Sequence, residues 1–236
     1  MADENGPDLQ YALTLAAVTA ILKNLLSNSF SDCRVNEQIG SDIEFMARPL
    51  DMIETGGVER ARVNVFMYAV TPSSGIANAL QGPIRPDSPT EARRWEPLSR
   101  DRTPLPPRAY GMDLHYLITA SAPRDTQSEV MLGYCAAILR QFGSLEGGEL
   151  QGRLERLSTS DVDAEALKLS REVTDRLGTS LRRLCIMPQF LGMDEMSKLW
   201  AMFQARYRPS LGYRATHIQL TAPVPGEPAS ERTVHA

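Results

Sequence analysis

The sequence predicts a mixed α/β domain, a largely antiparallel central sheet flanked by helices. Three observations carry this. Leu9, Leu13, Ala16, Ala17, Ala20, Ile21 and Leu25 recur at helical spacing. Tyr110, Met112, Leu114, Tyr116 and Ile118 alternate with Gly111, Asp113, His115, Leu117 and Thr119, the period of a strand. Val130, Met131, Tyr134, Cys135, Ile138, Leu139 and Phe142 then restore the helical period.

Taken in order, Pro7-Asp8 opens a helix expected to run to about Ser27. Residues 42–47 alternate and stop at Arg48-Pro49. Ala61 to Val70 places Val63, Val65, Met67 and Ala69 on one side and Arg62, Asn64, Phe66 and Tyr68 on the other. Apolar bulk on both sides predicts a central strand covered on both faces. Residues 71–108 form a long loop with seven prolines between Pro83 and Pro107 and six arginines between Arg85 and Arg108. Loops this long are functional or disordered. After the 110–119 strand, Thr126 and Glu129 have the spacing of a capping box, and Gly143 is the expected C-cap. Leu150 to Leu157 reads as a strand, 163–177 as a surface helix, and 181–191 as a strand that Pro188 confines to an edge or a break. Residues 194–203 read as an amphipathic helix whose Trp200 and Phe203 belong to the core. Residues 210–221 read as a last strand and, being terminal with weak alternation, as a candidate sheet edge. The expected layout is one domain over 1–222 followed by a disordered tail, 223–236.

Composition narrows the function. The chain has 236 residues, 42% hydrophobic and 23% charged, enough for a sizeable core. A net charge of -4 gives no drive toward nucleic acid. The N-terminus lacks a signal-peptide layout, and the run Leu13 to Leu26 is short for a span, so no membrane insertion and a cytoplasmic site of assembly are expected. Cys33, Cys135 and Cys185 are widely spaced and read as buried, reduced thiols. No GxSxG, GxxxxGK[ST], HExxH or GxGxxG motif occurs, so no cofactor and no metal are expected. The remaining chemical candidates are histidines on strands. Asp113 and His115 have the look of an orienting carboxylate and a base. Mid-strand positions are poor places for catalysis, however, and a polar sheet face is the simpler reading.

Three stretches carry a family resemblance: RVNVFMYAV (62–70), DLHYLITASAPRDTQSEVMLGYCAAIL (113–139) and DEMSKLWAMFQARYRPSLGYRATHIQL (194–220). In this order and spacing they resemble the Pvc16 N-terminal-domain family, over roughly residues 8–222. The charged segment 150–180 has no counterpart in the family core, and the second C-terminal domain of some members is not represented. The resemblance implies a structural cap, or tail terminator, of an extracellular contractile injection system, a phage-tail-like particle. It implies a homo-oligomeric ring, expected to be a hexamer, seated on the inner tube protein and the sheath protein. Such a ring ends polymerisation and holds the two cylinders together, within a particle that is released by lysis or remains intracellular. It offers no catalytic residues.

On that reading the interface residues are Arg93, Arg94, Trp95, Arg100 and Arg102 in the long loop, His115 on the polar sheet face, and Tyr213, Arg214 and His217 on the last strand. That last strand would accept a sheath strand by augmentation. The alternatives are a terminator of a phage or prophage tail, and a small α/β enzyme using His115 or His217.

Overall fold

The computed structural model describes residues 9–53, 60–73, 109–159, 174, 177, 181 and 183–221. The loop arginines, Trp95 and the tail lie outside them, as does most of the expected 163–177 helix, of which Thr174 and Leu177 are helical and buried.

Helix α1 (Leu9–Asp32) extends beyond the Ser27 expected from sequence. The reason is Phe30, which continues the stripe of Ala17, Val18, Ile21, Leu22, Leu25 and Leu26 and is as fully buried as they are. The stretch Leu13–Asp32 is long and apolar enough to cross a membrane, but half of it is buried inside the fold. Cys33 follows on the surface, contrary to the expectation of three buried thiols; Cys135 and Cys185 are buried. Helix α2 (Val35–Ile39) closes on Gly40, whose φ of 70° is the left-handed cap that glycine adopts without strain.

Six strands form one sheet in the order β1-β2-β3-β6-β5-β4. These are β1 (Ile43–Met46), β2 (Ala61–Pro72), β3 (Ala109–Ser121), β4 (Ser144–Glu146), β5 (Arg183–Pro188) and β6 (Ser210–Thr221). Strands β1 and β2 are parallel; every other pair is antiparallel. The expected edge strand β6 therefore lies inside the sheet. It pairs with β3 along its length and with β5 at Tyr213 to Thr216. Being last in sequence says nothing about being last in space, because β6 inserts between strands that precede it. Pro188 ends β5 past the reach of β4, which pairs only with Arg183 to Cys185, so the missing N–H breaks no ladder there.

Helix α3 (Gln127–Gln141) starts without the capping box. Thr126 sits at φ 65°, a left-handed conformation, and its hydroxyl caps nothing. The Gln127 side chain instead donates to the Ile39 carbonyl at 2.8 Å, tying the helix start to α2. The C-cap is Phe142 rather than Gly143. Residues 147–159 are helix α4, not a strand. Leu150, Leu154 and Leu157 are spaced by four and three, which stacks them on one buried helical face. Helix α5 (Met193–Met202) has Asp194 and Glu195 in its first turn, where they complement the helix dipole. Glu195 also accepts the Gly192 N–H at 3.0 Å.

The helices divide unequally between the faces. Helices α1, α3 and α4 close one face over Val63, Val65, Leu114, Tyr116, Ile118, Leu184, Ile186 and Ala215. At its centre the Thr19 hydroxyl donates to the Leu15 carbonyl and accepts the Tyr116 O–H at 2.9 Å. Burial pushes the Tyr116 phenol far above its ordinary range, an effect the Thr19 bond opposes. On the other face Met46, Leu50, Ile53, Phe66 and Leu117 pack against Met196 and Trp200 of α5.

Candidate interaction surface

Register places His115 on the face of Leu117 and α5. Beside it, β2 bulges between Met67 and Ala69, which brings the Tyr68 ring within 5.9 Å of the imidazole. The Thr71 hydroxyl donates to His115 Nε2 at 2.8 Å, and Nδ1–H donates to Gln189 Oε1 at 2.7 Å. Both ring nitrogens are thus engaged, and the imidazole holds a loop rather than addressing an open site. Burial raises the Tyr68 phenol, the Glu195 carboxylate raises it further, and a bond to Gln189 works against both. Gln189 itself is fixed by its N–H, which donates to the Gly212 carbonyl at 2.8 Å. A Cβ at position 212 would lie 2.5 Å from the Gln189 carbonyl oxygen, so the loop crosses β6 where a side chain is missing.

Asp113 does not orient His115. It falls at a second bulge, between Met112 and Leu114 of β3, opposite Thr216 and His217. Its Oδ2 is 3.9 Å from Arg214, and its Oδ1 is buried with no hydrogen-bond partner. Among the described residues no group of three His, Cys, Asp or Glu converges to hold a metal. Burial pushes the Cys135 thiol up to about 12, which leaves it a core side chain rather than a nucleophile.

The expected contact residues scatter. Arg214 is 43% exposed on the His115 side. Tyr213 is only 5% exposed and belongs to the three-helix core, paired with Tyr116 across the ladder, so it is removed as a surface contact. His217 lies beside Asp113 in register. Arg93, Arg94, Trp95, Arg100 and Arg102 lie outside the described residues. Sequence reasoning missed the apolar side chains that do reach solvent at the end of β5 and beyond it: Met187, Phe190 at 93% exposure, and Met193. An aromatic between Pro188 and Gly192 was the available signal. Beyond them, Trp200 meets Tyr207 edge-on at 5.9 Å in a groove of about 290 Å³ that Met193, Met196 and Ala201 also line. Such a surface can bind another protein.

No curated protein matches the sequence. Among solved structures the chain is similar to the "PVC sheath/tube terminator in extended state" of an extracellular contractile injection system. That match has 13% identity and a TM-score of 0.43, covering 99% of this chain and 65% of that one. It is also similar to the "anti-feeding prophage cap (AFP tube terminating cap)". Here identity is 17% and the TM-score 0.41, covering 81% of this chain and 53% of that one. The chain thus spans less than two thirds of the length of either. Residues 17–232 match the model of the Pvc16 N-terminal domain, nearly the whole sequence, and the chain belongs to that family.

Proposed function

We propose that this protein is the cap, or tail terminator, of a contractile injection system, ending the inner tube and sheath at the end away from the baseplate. The family match over residues 17–232 carries the reading. The chemistry of the surface supports it. His115 is spent on holding a loop, and the exposed groups are those of a binding face. The working unit is a homo-oligomeric ring, taken as a hexamer, because a head-to-tail contact that closes leaves no free end to propagate. One side of the ring meets tube protein and sheath protein, and the chain acts as a structural component rather than an enzyme. Residues 1–222 form the single domain of the ring subunit. Arg93, Arg94, Trp95, Arg100 and Arg102 reach a neighbour or the tube mouth, joined on the folded body by Arg214, Phe190 and Met193. Assembly takes place in the cytoplasm, and the particle either is released by lysis or remains inside the cell.

Deletion of the gene, followed by negative-stain microscopy of the particles, tests this. The expected result is particles of uncontrolled length or with frayed sheaths. Normal length with intact sheaths overturns the proposal.

A further inference from the structure

Strand β1 fills only part of the lane beside β2. Its pairing stops at Met46 opposite Asn64, whereas β2 continues to Pro72. Asn64 builds the stop. Its amide nitrogen donates to the Arg48 carbonyl at 3.0 Å, and its amide oxygen accepts the Arg48 N–H at 2.9 Å. One side chain thereby satisfies the backbone that would otherwise take the next ladder position, and the chain turns off at Pro49. From Val65 onward, β2 has no strand on that side among the described residues. Ser73 donates to Gly111 at 2.9 Å and so faces β3; by alternation Val70 and Pro72 turn their backbone groups away from β3, to the open side. Pro72 has no N–H to offer, so the usable edge ends at Val70.

A slot of about 430 Å³ lies against this edge. Helix α1 supplies one wall with Ala16, Thr19, Ala20 and Lys23, residues 47–49 close one end, and Val65 to Met67 border it. Small side chains keep it open. The Arg48 side chain lines the end of it, and no carboxylate does among the described residues.

We propose that this slot takes an extended strand from another polypeptide, added to β2 in the lane that β1 leaves open among the described residues. The strand has small apolar side chains at alternate positions and a carboxylate at the end that meets Arg48. Ladder bonds to the open edge supply affinity, and the alanine wall and Arg48 select the side chains. The bulge at Tyr68 twists the edge and limits the added strand to about six residues, roughly 20 Å. This assignment stands apart from the cap reading and is tested without any particle.

The probe is a fluorescein-labelled hexapeptide, Asp-Val-Thr-Val-Ser-Ala, titrated into the full-length chain by fluorescence polarisation. A Lys-ended version serves as its control. Saturable binding of the acidic peptide is expected, with slowed amide exchange between Val65 and Val70. Val70→Pro removes one outward donor and should weaken binding about tenfold, the scale of a single ladder bond. Arg48→Glu keeps the backbone bonds to Asn64 and should invert the preference toward the Lys-ended peptide. Should Val70→Pro fail to fold, Ala16→Leu, which fills the slot from α1, makes the same comparison. Absence of saturable binding, protection elsewhere than β2, or binding indifferent to these variants overturns the proposal.

Discussion

Leu114, Tyr116 and Ile118 point from β3 into a core closed by α1, α3 and α4, whereas His115 and Leu117, on the same strand, point to a face that the ten-residue α5 covers. The first face is sealed by apolar volume. The second is held in part by polar bonds converging on Gln189, and the chain around it leaves Phe190 and Met193 in water. Burial of apolar area is non-directional and tolerates small shifts, while a hydrogen-bonded loop keeps its place only as long as each partner is present. The thick face thus supplies stability. The thin face presents a shape.

Substitutions should separate the two roles. The largest loss is expected for Phe30→Ala, which removes a fully buried ring that packs edge-on against Phe45 and Tyr134. Urea denaturation should show about 3–5 kcal/mol; a much smaller loss would mean that the thick face is not the main store of stability. Gln189→Ala should cost less, about 1–3 kcal/mol, because it leaves the His115 Nδ1–H without its acceptor. Its amide-exchange signature should be confined to residues 188–192 and their contacts. Exchange that accelerates across the α1 face instead would break the distinction.

Alkaline pH probes the thick face through Cys135, read as the difference between the wild type and Cys135→Ala. The Cys135 thiol titrates near 9 when unfolded and is pushed up to about 12 in the fold. The native state therefore holds the proton longer. The thiol's contribution to stability is intact below about 9 and is lost as pH rises from there toward the folded value. Denaturation midpoints between pH 9 and 10 should fall in the wild type and fall less in Cys135→Ala, the tyrosines contributing equally to both. The smallest stability effect is expected for Phe190→Ser, within about 0.5 kcal/mol by thermal melting. The same variant should impair ring or particle assembly by size-exclusion chromatography and microscopy. Normal assembly would remove Phe190 from the interface.

The thick face was largely legible in sequence, because it follows local periods. The stripe of α1 and the alternation of β3 each need only a window of residues to be seen. Helix α4 is the exception: Leu150, Leu154 and Leu157 carry a helical spacing of four and three, which a strand over 150–157 does not accommodate. The Thr126–Glu129 box failed for a different reason. The motif was present, yet the chain enters α3 with Thr126 left-handed, an entry angle that the motif does not encode. The thin face was hardly legible. Gln189 and His115 are 74 residues apart in sequence. The place of β6 depends on β3 and β5 together, and Asn64 stops β1 through a pair of bonds 16 residues back. None of these distant pairings leaves a local signal.

Gly212 makes the same point at the scale of one atom. It sits half-exposed on a strand, where alanine or serine would ordinarily be neutral. A methyl group there would press on the Leu191 side chain at 3.3 Å and meet the Gln189 carbonyl oxygen at 2.5 Å, and that backbone oxygen can retreat only if the crossing segment lifts off the sheet. A saturation library scored for folding and for assembly should therefore tolerate other residues at position 212 in the first screen far better than in the second. The hydrogen that glycine carries in place of a side chain is the gauge that sets the height of the exposed Phe190 above the sheet.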